Sequence, residues 1–291
     1  MASEQVGDGG GREFQRIVDA LRNRLTSGTY RLGEQLPSQR AIADEFRVSR
    51  DTVQRVLREL VSEGWIETRQ GSGTRVIKAQ QVHSPDGTRT GHGRGILGRF
   101  IAAAFESPTR EVTLDVFTLT SESLDTHVRL QAERVRAGEI APTRIAVRML
   151  LPAENALLAY PRNTENYEDR RPIERLHDIT RRHSDSLSDA LMNLRTEGLV
   201  DEVEVQVRHL QLTPAFKLYL LNSAEALHGF YEVVERRIRL ADGEEIDAID
   251  ALGLNATLFH YAKDADPGTQ GSLFVDAGQR WFDSQWELLA R

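Results

Sequence analysis

The run Ser49-Arg50-Asp51-Thr52, with Gln54 just beyond it, gathers side chains that hydrogen-bond to bases and phosphates. Arginine can take guanine bidentately and glutamine adenine, and a carboxylate can accept from the amino group of cytosine. Hydroxyls beside the free N–H groups of a helix start suit a phosphate oxygen. Further along, chemistry is sparser. Ser121-Glu122-Ser123 follows an apolar strand pattern, and ligands of α/β sheets gather at the carboxyl ends of strands. Ser121 and Glu122 are therefore candidate partners of a polar ligand, with simple helix capping as the alternative. Asp185 and Asp189 lie four apart with His183 close by, but Arg181 and Arg182 flank them, so the group reads as a solvated helix face. His177 and His183, six apart, fall on different faces of a helix. Trp281, Phe282 and Trp286 read as core or dimer contact. With no cysteine in the chain there are neither disulfides nor thiolate metal sites, which suits a reducing cytoplasm. No nucleophile stands beside a base, so no catalytic, metal or cofactor set is assigned.

The elements that position Ser49–Gln54 follow from periodicity. Phe14, Ile17, Val18, Leu21 and Leu25 recur at three- and four-residue steps, one face of an amphipathic helix. Ser38 is a natural N-cap for a short second helix that buries Ile42, Ala43 and Phe46. The turn Arg47-Val48-Ser49 leads into a third helix with Val53, Val56, Leu57, Leu60 and Val61 inward and Arg50, Gln54, Arg55 and Arg58 outward. Residues 65–77 then read as two short strands around a Gly-Ser-Gly turn, a β wing. Two short helices joined by a tight turn form a helix-turn-helix, whose second helix offers its first residues to the major groove.

Charge divides along the chain. Residues 1–78 hold 13 basic and 11 acidic residues, and the remainder holds 24 and 33, so a chain of net charge −7 is locally basic only in its first quarter. The length suits two domains. Residues 1–11 are polar and glycine-rich and read as a disordered tail, 12–78 as the winged helix-turn-helix, 79–95 as a flexible linker, and 96–291 as a second domain. No apolar run reaches membrane-spanning length, and the N-terminal residues lack the apolar stretch of a secretory signal.

The stretch LPSQRAIADEFRVSRDTVQRVLRELVSEGWIETRQGSGTRV closely resembles the GntR family of bacterial regulators. The likeness lies in its Leu-Pro-Ser-x-Arg entry, Val-Ser-Arg-x-Thr-Val turn, Leu-x-x-Glu-Gly-Trp-Ile exit and Gly-x-Gly-Thr wing tip. It covers the first domain only. Carried over position by position, it implies DNA contacts from Arg40, Ser49, Arg50, Thr52 and the wing at Gln70 and Gly71. Asp51 stands where the family often has Thr or Ser, and Gln54 where it often has Arg, so the target sequence is expected to differ from the family's commonest sites. The resemblance further implies a cytoplasmic, repressor-type regulator. Two-fold operators mirror two-fold proteins, so a homodimer on double-stranded DNA is expected.

The second domain alternates β and α patterns: strands at 112–119, 144–152, 203–210, 216–222, 230–240 and 256–263, and helices at 123–138, 173–198 and 273–290. That order predicts an α/β effector-binding and dimerisation domain, making the whole chain α/β. The segment AFKLYLLN (215–222) resembles a degraded copy of the His-x-Lys-x-x-x-x-Asp motif of phospholipase D-like domains. Lys217 holds the lysine position, Ala215 replaces the histidine nucleophile, and Asn222 replaces the aspartate. The resemblance implies a non-catalytic sensor of an unidentified small molecule, with Lys217 and Asn222 added to Ser121 and Glu122. The alternative fold is the β-rich, chorismate-lyase-like effector domain of another GntR subfamily, suggested by residues 236–250. The alternative functions are an active phosphodiesterase-like domain targeted to DNA and a regulator gated by a protein partner.

Overall fold

The computed structural model describes residues 9–26, 29–30, 33–62, 65–69, 73–76, 82–83, 97–253 and 256–291. The chain divides into two compact units, Met1–Ala79 and Gln80–Arg291. In the first, α1 (Gly9–Thr26), α2 (Gln39–Phe46) and α3 (Arg50–Ser62) precede the antiparallel pair β1 (Ile66–Arg69) and β2 (Gly73–Val76). Their apolar stripes meet: Ile17, Leu21, Leu25, Ile42, Val53, Val56 and Leu60 are fully buried. Val61, expected to face inward, is exposed, because the stripe of α3 is filled by Val53, Val56, Leu57 and Leu60. Of the tail expected at 1–11, residues 9–11 begin α1 and the rest lies outside the described residues.

In the second unit the elements run β3 (Val82–His83), α4 (Leu97–Phe105), β4 (Glu111–Phe117), α5 (Glu122–Arg136), β5 (Arg144–Pro152), β6 (Arg162–Asn163), α6 (Arg171–Thr196), β7 (Glu202–Leu210), β8 (Phe216–Leu221), β9 (Glu225–Phe230), β10 (Glu232–Arg239), β11 (Glu245–Leu252), β12 (Leu258–Ala262) and α7 (Gln270–Leu288). They build a seven-stranded sheet in the order β3-β12-β9-β8-β4-β5-β7. β4, β5 and β7 are parallel, while β8, β9 and β12 continue antiparallel. Residues 82–83 lie within the expected linker but pair with β12, because an edge strand offers unpaired N–H and C=O groups. The rest of 79–95 lies outside the described residues.

Alternation along β4 sorts its side chains. Val112, Leu114 and Val116 join the core under α4, α5 and α6, while Phe117 joins the core under α7. Phe282 and Trp286 belong to that second core, and Trp281 sets its ring edge-on to Phe117 at 5.0 Å. The expected single strand at 230–240 is instead two, parted at Tyr231. β9 stays in the large sheet, and β10 leaves it to pair with β11 and β6 in a three-stranded sheet. Tyr231 and Ala251 at the base of this hairpin pack with Leu119, Tyr160 and Leu176, which closes the small sheet over the carboxyl end of β4.

Candidate functional site

The reading head is built by caps. Ser38 Oγ accepts from Ala41 N–H at 3.2 Å and starts α2. Arg47 ends it in the left-handed conformation, φ 57°, with the Val48 N–H reaching Ala43 O at 3.0 Å. Ser49 Oγ then accepts from Thr52 N–H at 3.1 Å and lies 2.9 Å from Thr52 Oγ1. These two hydroxyls fix the start of α3 and do not stand free. Arg50, Asp51 and Gln54 are exposed on its first turns, whereas Thr52 is half-buried. Arg40 is exposed on α2, 3.9 Å from Asp44 one turn on. Other arginines of the unit have structural work: Arg24 pairs with Glu45, and Arg55 lies 5.2 Å above the Phe14 ring. Gln70 and Gly71, the expected wing contacts, lie outside the described residues.

At the carboxyl end of β4 the second unit gathers buried polar groups. Ser121 is fully buried, and its hydroxyl does not cap α5; it lies 3.1 Å from Ser184 Oγ on α6. Asp125, one turn along α5, holds His183 Nδ1 at 2.7 Å, and Glu122 stands 3.9 Å from His183 Nε2. Lys217 is buried at the start of β8 with its ammonium on Gly253 O and 5.3 Å from the Tyr231 ring centre. Burial pushes its pKa down to about 7, and the charge of Glu122 opposes the shift. The Tyr231 hydroxyl accepts from Leu119 N–H at 2.8 Å and lies 2.9 Å from Thr118 Oγ1; burial pushes its pKa up to about 12.

Ser121, Glu122 and Lys217 thus share one end of the sheet. Asn222 does not. It lies at the other end of β8, where its side chain accepts from Thr113 N–H at 2.8 Å and donates to Ala104 O at 3.0 Å. Its positive φ of 51° makes it a turn residue, since a short amide side chain tolerates the left-handed region and can bond the neighbouring backbone. Asp185 and Asp189 are exposed as expected, but His183, expected on their solvated face, is buried. The signal was its spacing: His183 falls on the same stripe as Leu176, Leu187, Leu191 and Leu194. Asp125 carried no comparable mark.

A cavity of about 250 Å³ opens beside this cluster at the ends of β5 and β7. Leu119, Leu151, Leu176 and Val207 give it an apolar floor, and Ser184 joins it to Ser121. On the opposite face of the sheet, Arg148 grips Asp115 through two hydrogen bonds of 2.7 and 2.6 Å and reaches Asp283 at 2.8 Å.

Three helices, a tight turn before an exposed first turn of α3, and a two-stranded wing define the first unit as a winged helix-turn-helix. Residues 14–76 match the family described as "Bacterial regulatory proteins, gntR family", and the N-terminal unit is a domain of that kind. The Exu regulon transcriptional regulator of Escherichia coli is 40% identical over 72 residues, 25% of this chain and 28% of that protein. The mannosyl-D-glycerate transport/metabolism system repressor MngR of the same organism is 41% identical over 70 residues, 24% of this chain and 29% of that one. The chain thus spans little more than a quarter of the curated relatives it matches. A GntR family transcriptional regulator from Listeria monocytogenes is a solved structure with 26% identity, covering 26% of this chain and 62% of its own, at a TM-score of 0.22. Among the described residues, no helix is long and apolar enough to cross a membrane.

Proposed function

We propose that the protein is a cytoplasmic, sequence-specific transcription regulator of repressor type. Its winged domain reads a two-fold operator as a homodimer, and its α/β domain senses a small molecule without transforming it. The observation that carries this reading is the exposed triad Arg50, Asp51 and Gln54 on the first turns of a capped helix, inside a domain that matches the gntR family. Exposed groups at that position are what base recognition requires. The decisive experiment is footprinting of genomic DNA, followed by gel shift on the recovered site with wild type and Arg50→Ala. Arg50→Ala should weaken the site by about 1–3 kcal/mol and relax preference at one base position. Uniform weakening on every sequence would reduce Arg50 to a phosphate contact. Protection of a single half-site by a monomer would sink the dimer.

One observation favours a catalytic alternative: the His183–Asp125 pair close to Glu122. The geometry supports sensing more strongly. Both ring nitrogens of His183 face carboxylates, and the Lys217 ammonium is engaged by Gly253. Turnover of bis-p-nitrophenyl phosphate by the full chain, abolished by His183→Gln, would reverse that judgement.

A further inference from the structure

The cavity beside α6 has a rim unlike its floor. Glu154 reaches across it to Arg181 at 3.0 Å, although both side chains are largely exposed, 64% and 57%. His177 and His209 also line the cavity, and with Arg181 they hold the Glu154 carboxyl below its ordinary range, Arg181 contributing most. His177 Nε2 is buried and has no hydrogen-bond partner among the described residues. A buried nitrogen left without a partner costs free energy that a ligand can return. The protein's own carboxylate is therefore bonded to one guanidinium, at a cavity that two imidazoles and apolar side chains also line.

We propose that this cavity binds a small monocarboxylic acid with a compact apolar body. The ligand's carboxylate takes the place of Glu154 on Arg181, and its apolar part covers Leu119, Leu151, Leu176 and Val207. The assignment rests on reading the C-terminal domain as a ligand sensor. Displacing Glu154 is cheap, because an exposed ion pair contributes little. A ligand held over an apolar floor gains both area removed from water and a charge-assisted bond. The charge balance sets the class. Arg181 is the one fixed cation among the lining residues; it also meets Asp178 at 3.2 Å, and Asp185 is a further carboxylate of the lining. These acids repel each added negative charge, so a monoanion is the most the rim accepts, and phosphate or a tricarboxylate is excluded. Ser184 links occupancy to Ser121, just before α5, and its neighbour His183 carries it to Asp125 on α5.

Calorimetric titration of the full chain with butyrate and benzoate, against butyramide and benzamide, tests the site. The acids should bind about threefold to fivefold more tightly than the amides, the gain of an exposed charged partner on Arg181. Arg181→Gln should remove about that factor. Glu154→Gln should tighten binding by removing the internal competitor. Because Arg181 and Glu154 are exposed, both variants should keep the wild-type circular dichroism spectrum. Equal binding of acids and amides, an unaffected Arg181→Gln, or weaker binding by Glu154→Gln would each overturn the assignment. Inorganic phosphate competing as well as benzoate would overturn the monoanion class. Gel shift on the operator runs separately: acids that bind without moving operator affinity leave the site standing and remove the sensing role. An operator complex formed by a protein that binds no acid removes the site and leaves DNA recognition intact.

Discussion

The two units of this chain keep their polar residues in opposite conditions. Around α3 the candidate contact side chains, Arg50, Asp51 and Gln54, are exposed. Around the end of β4 the polar side chains are buried and already paired: Asp125 with His183, Ser121 with Ser184, Lys217 with Gly253. An exposed group loses nothing until a partner desolvates it, so it can be exchanged at little cost in stability. A buried group must be satisfied inside the fold, so its removal is felt by the whole domain. On the proposed reading, the difference separates residues that would set specificity from residues that set stability, and each can be challenged.

The largest effect is expected where a buried pair is broken. Asp125→Ala leaves His183 without its partner and should lower the urea-unfolding free energy by about 3 kcal/mol. A loss under about 1 kcal/mol would mean that water reaches the pair. Next comes Lys217. An unfolded lysine holds its proton to about pH 10.4, whereas in the fold its pKa is pushed down to about 7. Between those values the unfolded chain binds one more proton, so stability rises with pH. The gain should reach about 2 kcal/mol between pH 7.5 and 9. Lys217→Met should abolish that slope, and an identical slope in the variant would place the lysine in water.

Smaller effects belong to the reading head. Gln54→Arg should move preference at one base pair from adenine toward guanine by about 1.5 kcal/mol, measured by binding to a randomised operator, with stability unchanged. An unaltered consensus would remove Gln54 from the bases. Ser38→Ala should cost about 1 kcal/mol in thermal stability by uncapping α2, with the consensus untouched. If that substitution changed the consensus instead, the boundary between specificity and stability would fail.

How far each region could be read from sequence follows from the same contrast. Ser38, Arg47 and Ser49 act on neighbours three to five residues away, so their roles are written in local order. The Asp125–His183 bond spans 58 positions, and the hold of Arg148 on Asp283 spans 135. No local pattern marks such partners. Lys217 was legible only as the lysine of a degraded motif, and the hairpin β10–β11 accounts for its burial, because Gly253 just after β11 accepts from its ammonium. Asn222 looked like a member of the same site and was not. Five residues of extended strand carry it to the far end of the sheet, onto Thr113.

By itself the sequence determined the winged domain, the capped start of α3 and the α/β alternation, because caps, turns and periodic stripes are encoded within a few residues. The tertiary structure decided which polar residues of the second domain meet. It also split the strand at Tyr231, folded β10 and β11 over the end of β4, and opened the cavity between Leu151, Val207 and α6. Those outcomes depend on the order and direction of strands, and strand pairing joins residues whose separation along the chain has no bearing on their distance in space.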